Sequence, residues 1–177
     1  MSSSLRESTL YRGAYLAVSL AVLFLDQWTK GIITRTMEVH QSRTILDDFF
    51  DLTYVRNTGA AFGLFASVDS SMKAIVLNSV AVVVFLIVSA YALRSSHRSV
   101  RLQVGLALIL GGAVGNLVDR IRAGSVTDFL DFYVGSHRWP AFNVADSAIT
   151  VGVVLLAWDI WRPREPAAAE TSPPAAA

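Results

Sequence analysis

The chain has 177 residues, of which 53% are hydrophobic and only 16% charged, with a net charge of +1 and a positive mean hydropathy of +0.47. Soluble domains carry about 25% charged residues, so composition excludes a water-soluble globular protein, and near-neutral charge leaves no footprint for nucleic acid. The absence of Cys removes disulfides, thiolate nucleophiles and zinc–thiolate sites.

In chain order, Arg6 and Arg12 precede an uncharged run at 13–25 whose apolar pattern continues to Ile33. A basic end followed by an apolar run is also the form of a signal peptide. No small-x-small cleavage site follows, and the run leads into Asp26-Gln27-Trp28-Thr29-Lys30, which predicts a retained helix over 13–33. The long loop at 34–71 contains an aromatic and β-branched segment at 45–55. That segment predicts two short strands, with Asn57-Thr58-Gly59 as a turn. Ala61-Phe62-Gly63-Leu64-Phe65 is apolar but too short to span and is placed at the membrane interface. Three further spans follow at 74–93, 102–119 and 140–161, each near the ~20 residues that cross a bilayer. Residues 163–177 are rich in Pro, Ala and Ser and read as a disordered tail. The chain is thus a mainly α membrane protein with one membrane-embedded domain at 1–162.

Basic residues orient it. Arg6 and Arg12, then Arg94, Arg98 and Arg101, then Arg162 and Arg164 fall on one side by parity, which predicts that side, and both termini, to be cytoplasmic. The polar residues of the spans then converge on the outer leaflet. The first helix reaches Asp26 after about 13 residues, ~20 Å of helix; the third ends at Asn116 and Asp119; the fourth begins with Asn143 and Asp146. An Asp or Lys at mid-bilayer costs about 2.5–3.5 kcal/mol, so a one-sided cluster of them implies use, and an interfacial enzyme suits it better than a transporter.

Each polar motif also has a plain structural reading. Asp26 and Lys30 are four apart and form an intrahelical pair. Gly111 and Gly115 share a face suited to close helix packing. Asp119 beside Arg120 reads as interfacial anchoring, whereas Asn116, one turn before, can orient a substrate backbone. Asp128 stands among apolar neighbours in a strand or turn, capped by Thr127. Asp146 suits the positive end of the fourth helix but lies too deep for that alone. Two carboxylates in a partly dehydrated site share a proton, which offers a base for water and an acid for a carbonyl. That chemistry is peptide hydrolysis without metal or covalent nucleophile. The residues alone leave Asp119 and Asp128 open as partners of Asp146. His40, His97 and His137 lack metal-ligand spacing, and the intramembrane Gly run lacks the Lys-Ser/Thr of a phosphate loop. An ion-coupled transporter, for which internal repeats are absent, and a non-catalytic assembly factor are the competing readings.

Five blocks carry a resemblance: Asp26-Gln27-x-Thr29-Lys30, Asn57-x-Gly59-x-Ala61-Phe62, Gly111-Gly112-Ala113-x-Gly115-Asn116-x-x-Asp119-Arg120, Val126-x-Asp128-Phe129 and Phe142-Asn143-x-Ala145-Asp146-Ser147. In this order, over about residues 15 to 160, the sequence resembles the bacterial lipoprotein signal peptidases, or signal peptidase II. The resemblance implies a membrane aspartyl endopeptidase of the bacterial inner membrane that needs no cofactor or metal. Its partners would be membrane lipids and a prolipoprotein, cut just before a Cys carrying diacylglycerol. It also implies Asp128 and Asp146 as the catalytic pair, with Asn57, Gly59, Asn116, Arg120, Asn143, Asp26, Lys30 and Asp119 in support. The expected architecture is a four-transmembrane-helix bundle with a small periplasmic antiparallel β-sheet cradle, formed from the loop after the first helix.

Overall fold

The structure, a computed structural model, describes residues 3–59 and 70–161. The interfacial segment expected at 61–65 and the tail expected at 163–177 lie outside the described residues. Among the described residues, four helices are long and apolar enough to cross a membrane: α1 (Ser3–Thr36), α2 (Ser70–Arg94), α3 (Val100–Ala123) and α4 (Val144–Trp161). At 34 residues, α1 is about 50 Å long, more than the ~30 Å hydrocarbon core requires.

Helix α3 is the hub. Of its most apolar window 61% is buried, against none of α2, because α1, α2 and α4 all pack on it. Glycines make this possible. A Cβ at Gly111 would lie 2.6 Å from the Ser19 carbonyl oxygen of α1, and one at Gly112 would lie 2.5 Å from the Ala145 carbonyl oxygen of α4. Lower down, Gly105 and Gly152 approach each other through their backbones. Gly124, with φ of 68°, ends α3 in a left-handed cap and donates its N–H to the Arg120 carbonyl.

At the end of the bundle where α1 and α3 finish and α4 begins lies a four-stranded antiparallel sheet in the order β1 (Ser42–Leu46), β2 (Phe50–Asn57), β3 (Val126–Val134) and β4 (His137–Arg138). Half of it therefore comes from the α3–α4 connection and not, as expected, from the loop after α1 alone. The first hairpin also turns inside the segment read as strands: Asp48 adopts φ of 59°, a conformation that Asp tolerates better than most residues. Ile33 of α1 and Met37 just after it pack with Tyr54 and Phe129 beneath the sheet.

Helix α4 starts at Val144 rather than near 140. Residues 139–142 instead run along β3: Phe129 and Leu130 both donate to the Phe142 carbonyl, and Phe142 donates back to Leu130. Pro140 helps to keep them extended, since the residue before a proline is driven out of the helical region.

Candidate active site

Asn143 joins the sheet to the fourth helix. It stands just before α4 and forms a reciprocal cap with Asp146: the Asp146 N–H donates to Asn143 Oδ1 at 2.9 Å, and the Asn143 N–H donates to Asp146 Oδ2 at 3.3 Å. Its amide Nδ2 then reaches Asp128 Oδ1 at 2.7 Å on β3, with Asn116 Oδ1 and the Thr127 carbonyl also within reach. Asn143 is fully buried, so one side chain fixes the relation between the two carboxylates of β3 and α4.

The other oxygens are held by amides too. Asn116 Nδ2 donates to Asp146 Oδ1 at 2.8 Å, and Asn57 Nδ2 donates to Asp128 Oδ2 at 2.9 Å. Asn57 is oriented in turn by the Gly59 N–H, which donates to its Oδ1. Gly59 has φ of 105°, a conformation that favours glycine, and a Cβ there would meet the end of the Leu77 side chain on α2, which would have to shift.

Behind this layer sits the cation. Lys30 pairs with Asp26 at 2.8 Å and with Asp119 at 3.0 Å, and its Nζ donates to Asn116 Oδ1 at 2.9 Å. The Asp26–Lys30 pair expected from spacing is present, but it is part of a larger cluster. Gln27, quoted in a motif without a role, donates to Asp119 Oδ1 and to the Gly115 carbonyl. Asp26 accepts the Ala145 N–H at the start of α4. A Cβ at Gly115 would lie 2.5 Å from Asp26 Oδ2, so this glycine makes room for a carboxylate as well as for a helix.

Two expectations are corrected here. Among the described residues Asp119 makes no ion pair with Arg120: both its oxygens are engaged by Lys30, Gln27 and the Thr127 N–H. Thr127 does not cap Asp128 but lends its backbone N–H to Asp119 and its carbonyl to Asn143. Arg120 lies within electrostatic reach of Asp146, Asp128 and Asp119, and its buried Nε has no hydrogen-bond partner among the described residues.

Asp128 is 2% exposed. Burial, with the charge of Asp146 added, raises its carboxyl to about 6 against the lowering effect of the Asn57 and Asn143 amides and of Lys30. A carboxyl at that value exchanges its proton near neutrality, which acid–base catalysis requires. No group of three or more His, Asp or Glu able to hold a metal ion occurs among the described residues.

The family model described as signal peptidase (SPase) II matches residues 18–162, which spans all five motif blocks and every residue of this cluster. The chain belongs to the signal peptidase II family. The lipoprotein signal peptidase of Geobacter sulfurreducens is 48% identical over 146 residues, covering 82% of this chain and 90% of that protein. That of Syntrophus aciditrophicus is 42% identical over 146 residues, covering 82% and 91%. Among solved structures, a bacterial membrane enzyme determined by the in meso method at 2.3 Å resolution superposes with a TM-score of 0.76 at 28% identity, covering 88% of this chain and 95% of that one. This signal peptidase II family member is therefore a bacterial membrane protein and an aspartic peptidase.

All ten candidate residues named from the sequence lie in or around one cluster. Gln27 and the main chain of Thr127 were missed as participants. Gln27 neighbours Asp26 and could have been noticed; a backbone N–H, present at every residue, gives no signal.

Proposed function

We propose that Asp128 and Asp146 are the catalytic pair of this chain, a membrane peptidase that removes signal peptides from prolipoproteins, as its family does. The observation that carries this is their setting: two carboxylates on separate elements, tied together by Asn143 and flanked by the neutral amides of Asn57 and Asn116, whereas Asp26 and Asp119 are both ion-paired to Lys30. One carboxylate takes a proton from water, and the oxygen so freed attacks the scissile carbonyl carbon. The other, protonated, donates a hydrogen bond to the carbonyl oxygen. When the tetrahedral intermediate collapses and the C–N bond breaks, a carboxyl proton passes to the leaving amine.

The supporting residues then have separate duties. Lys30 acts through Asn116, whose Oδ1 it holds so that Nδ2 faces Asp146. Asn57 and the unpaired Nε–H of Arg120 supply donors for the substrate main chain. Asp26, Asp119, Gly59 and Asn143 hold the elements in register. The substrate presents a Cys bearing diacylglycerol, its signal helix approaches laterally from lipid, and its acyl chains remain in the bilayer. The bias of basic residues toward one set of loops supports an orientation with both termini on the cytoplasmic side and the acid cluster in the outer leaflet.

Cleavage of a diacylglyceryl-modified prolipoprotein, compared between wild type and Asp146→Asn, tests the pair; retained cleavage removes the proposal. Orientation is tested with single Cys at Ser42 and at Ser96, using an impermeant thiol reagent on intact cells. Labelling at Ser42 only is expected, and labelling at Ser96 alone would place the cluster in the opposite leaflet.

A further inference from the structure

From the end of the bundle away from the carboxylates to within about a turn of Asp26 and Asn116, α1, α2 and α3 enclose an apolar groove of about 430 Å³, bounded by Leu16, Leu20, Leu23, Phe85, Leu110 and Val114. Three of the polar side chains on its walls are turned to backbone carbonyls: Tyr15 donates to His97, Ser19 to Ala107, and Gln103 to Ala92. The interior therefore suits hydrocarbon and little else. From Arg12 to Leu23 the groove follows α1 for roughly 16 Å, close to the ~15 Å of one leaflet's hydrocarbon.

Its mouth carries positive charge. Arg12 is the one charged residue among those lining the groove, and it is exposed, with one Nη donating to the Leu93 carbonyl. A guanidinium has five N–H donors, so most remain for a ligand. The contacts of Arg12 with Leu93 and of Tyr15 with His97 bring the α2–α3 connection alongside; that connection with its flanks adds Arg94 and Arg101 and no acid, and the acid at this end of α1 is Glu7. Asp159 is on α4, which contributes nothing to the groove.

We propose that this groove is a binding site for an anionic phospholipid, one acyl chain lying along α1 and the phosphate held at Arg12. It is separate from the peptidase site and does not depend on the roles assigned there.

The test is native mass spectrometry of the full chain in a neutral detergent, titrated with phosphatidylglycerol and phosphatidylethanolamine of identical acyl chains. Phosphatidylglycerol should bind about fivefold more tightly, the fold-change that corresponds to the ~1 kcal/mol an Arg contributes near an anionic headgroup. Arg12→Gln should abolish this preference and Arg12→Lys retain it. Ser89→Phe, which fills the groove, should reduce binding of both lipids. Prolipoprotein cleavage checks that each variant is folded. Equal binding of the two lipids by wild type, an unchanged preference in Arg12→Gln, or undiminished binding by Ser89→Phe would each overturn the proposal.

Discussion

Asp128 and Asp131 lie three residues apart on β3, and their environments are opposite. Asp131 stands directly across from Asp51 on β2, a like-charge juxtaposition that would destabilise the sheet if left bare. Arg138 of β4 bridges it, bonding Asp131 through one Nη and Asp51 through the other at 2.9 Å, while lying 4.2 Å from the centre of the Tyr133 ring. That bond holds the Asp51 carboxyl below the usual carboxylate range. Asp128 has no such cation against it. It is paired with Asp146 through amides, and burial raises it to about 6. An acid pair bridged directly by a cation becomes a clasp; Asp128, bonded to amides with Lys30 and Arg120 acting only through space, keeps a raised proton affinity.

Their odd spacing on β3 puts Asp128 and Asp131 on opposite faces, and a single extra residue in β2 brings each its partner. Between Leu52 and Val55 the register of β2 against β3 slips by one, a β-bulge that reverses the inside–outside alternation of β2. Without it Asp51 and Asn57, six residues apart, would face the same way. With it Asp51 meets Asp131 on one face, while Asn57 meets Asp128 on the other.

The comparison breaks first at the chemistry. Asp128→Asn or Asp146→Asn should lower cleavage by at least about 100-fold, the scale of general acid–base catalysis, and the double variant should be no worse than either single one. Asp131→Asn should stay within roughly tenfold of wild type in the same assay. Loss of cleavage in Asp131→Asn with retention in Asp128→Asn would reverse the assignment. Next in size, Asn57→Ala should lower turnover by more than about tenfold, on the order of 1.4 kcal/mol in the barrier; unchanged kinetics would reduce Asn57 to a turn residue.

Stability sharpens the contrast because the two acids have opposite signs. The folded-state carboxyl of Asp128 is raised, so its contribution is fully present below the ordinary value of 3.8 and is lost as pH climbs through about 6. Asp128→Asn should therefore stabilise the protein at pH 7, by at most about 3 kcal/mol, and flatten this slope in detergent unfolding. Asp51 is lowered, so its contribution is present above the ordinary value and lost as pH falls below it. Arg138→Met should lower the unfolding midpoint at pH 7, with partial recovery in acid as Asp51 is protonated. A midpoint unaffected by Arg138→Met would show that the clasp contributes nothing. The smallest effect is expected from truncation after Arg164, which should leave turnover within about twofold.

Much of this was legible in the chain itself. Hydropathy alone marks four spans, because a bilayer demands long apolar runs and charges within them are costly. Parity of those spans brings Asp26, Asn116, Asp119, Asn143 and Asp146 to one level, and motif order adds Asn57 and Asp128. What spacing could not express was partnership across elements. Asp119 and Asp128 are equivalent in sequence, each an acid near Asp146. Only the approach of α1 to α3 gives Asp119 to Lys30, and only the packing of β3 on the start of α4 gives Asp128 to Asn143. The clasp was equally hidden, since Arg138 and Asp51 are separated by 87 residues and meet through sheet order. Burial and hydropathy act locally along the chain and can be read from it, whereas the proton affinity of a carboxylate depends on which distant cation or amide the fold sets against it.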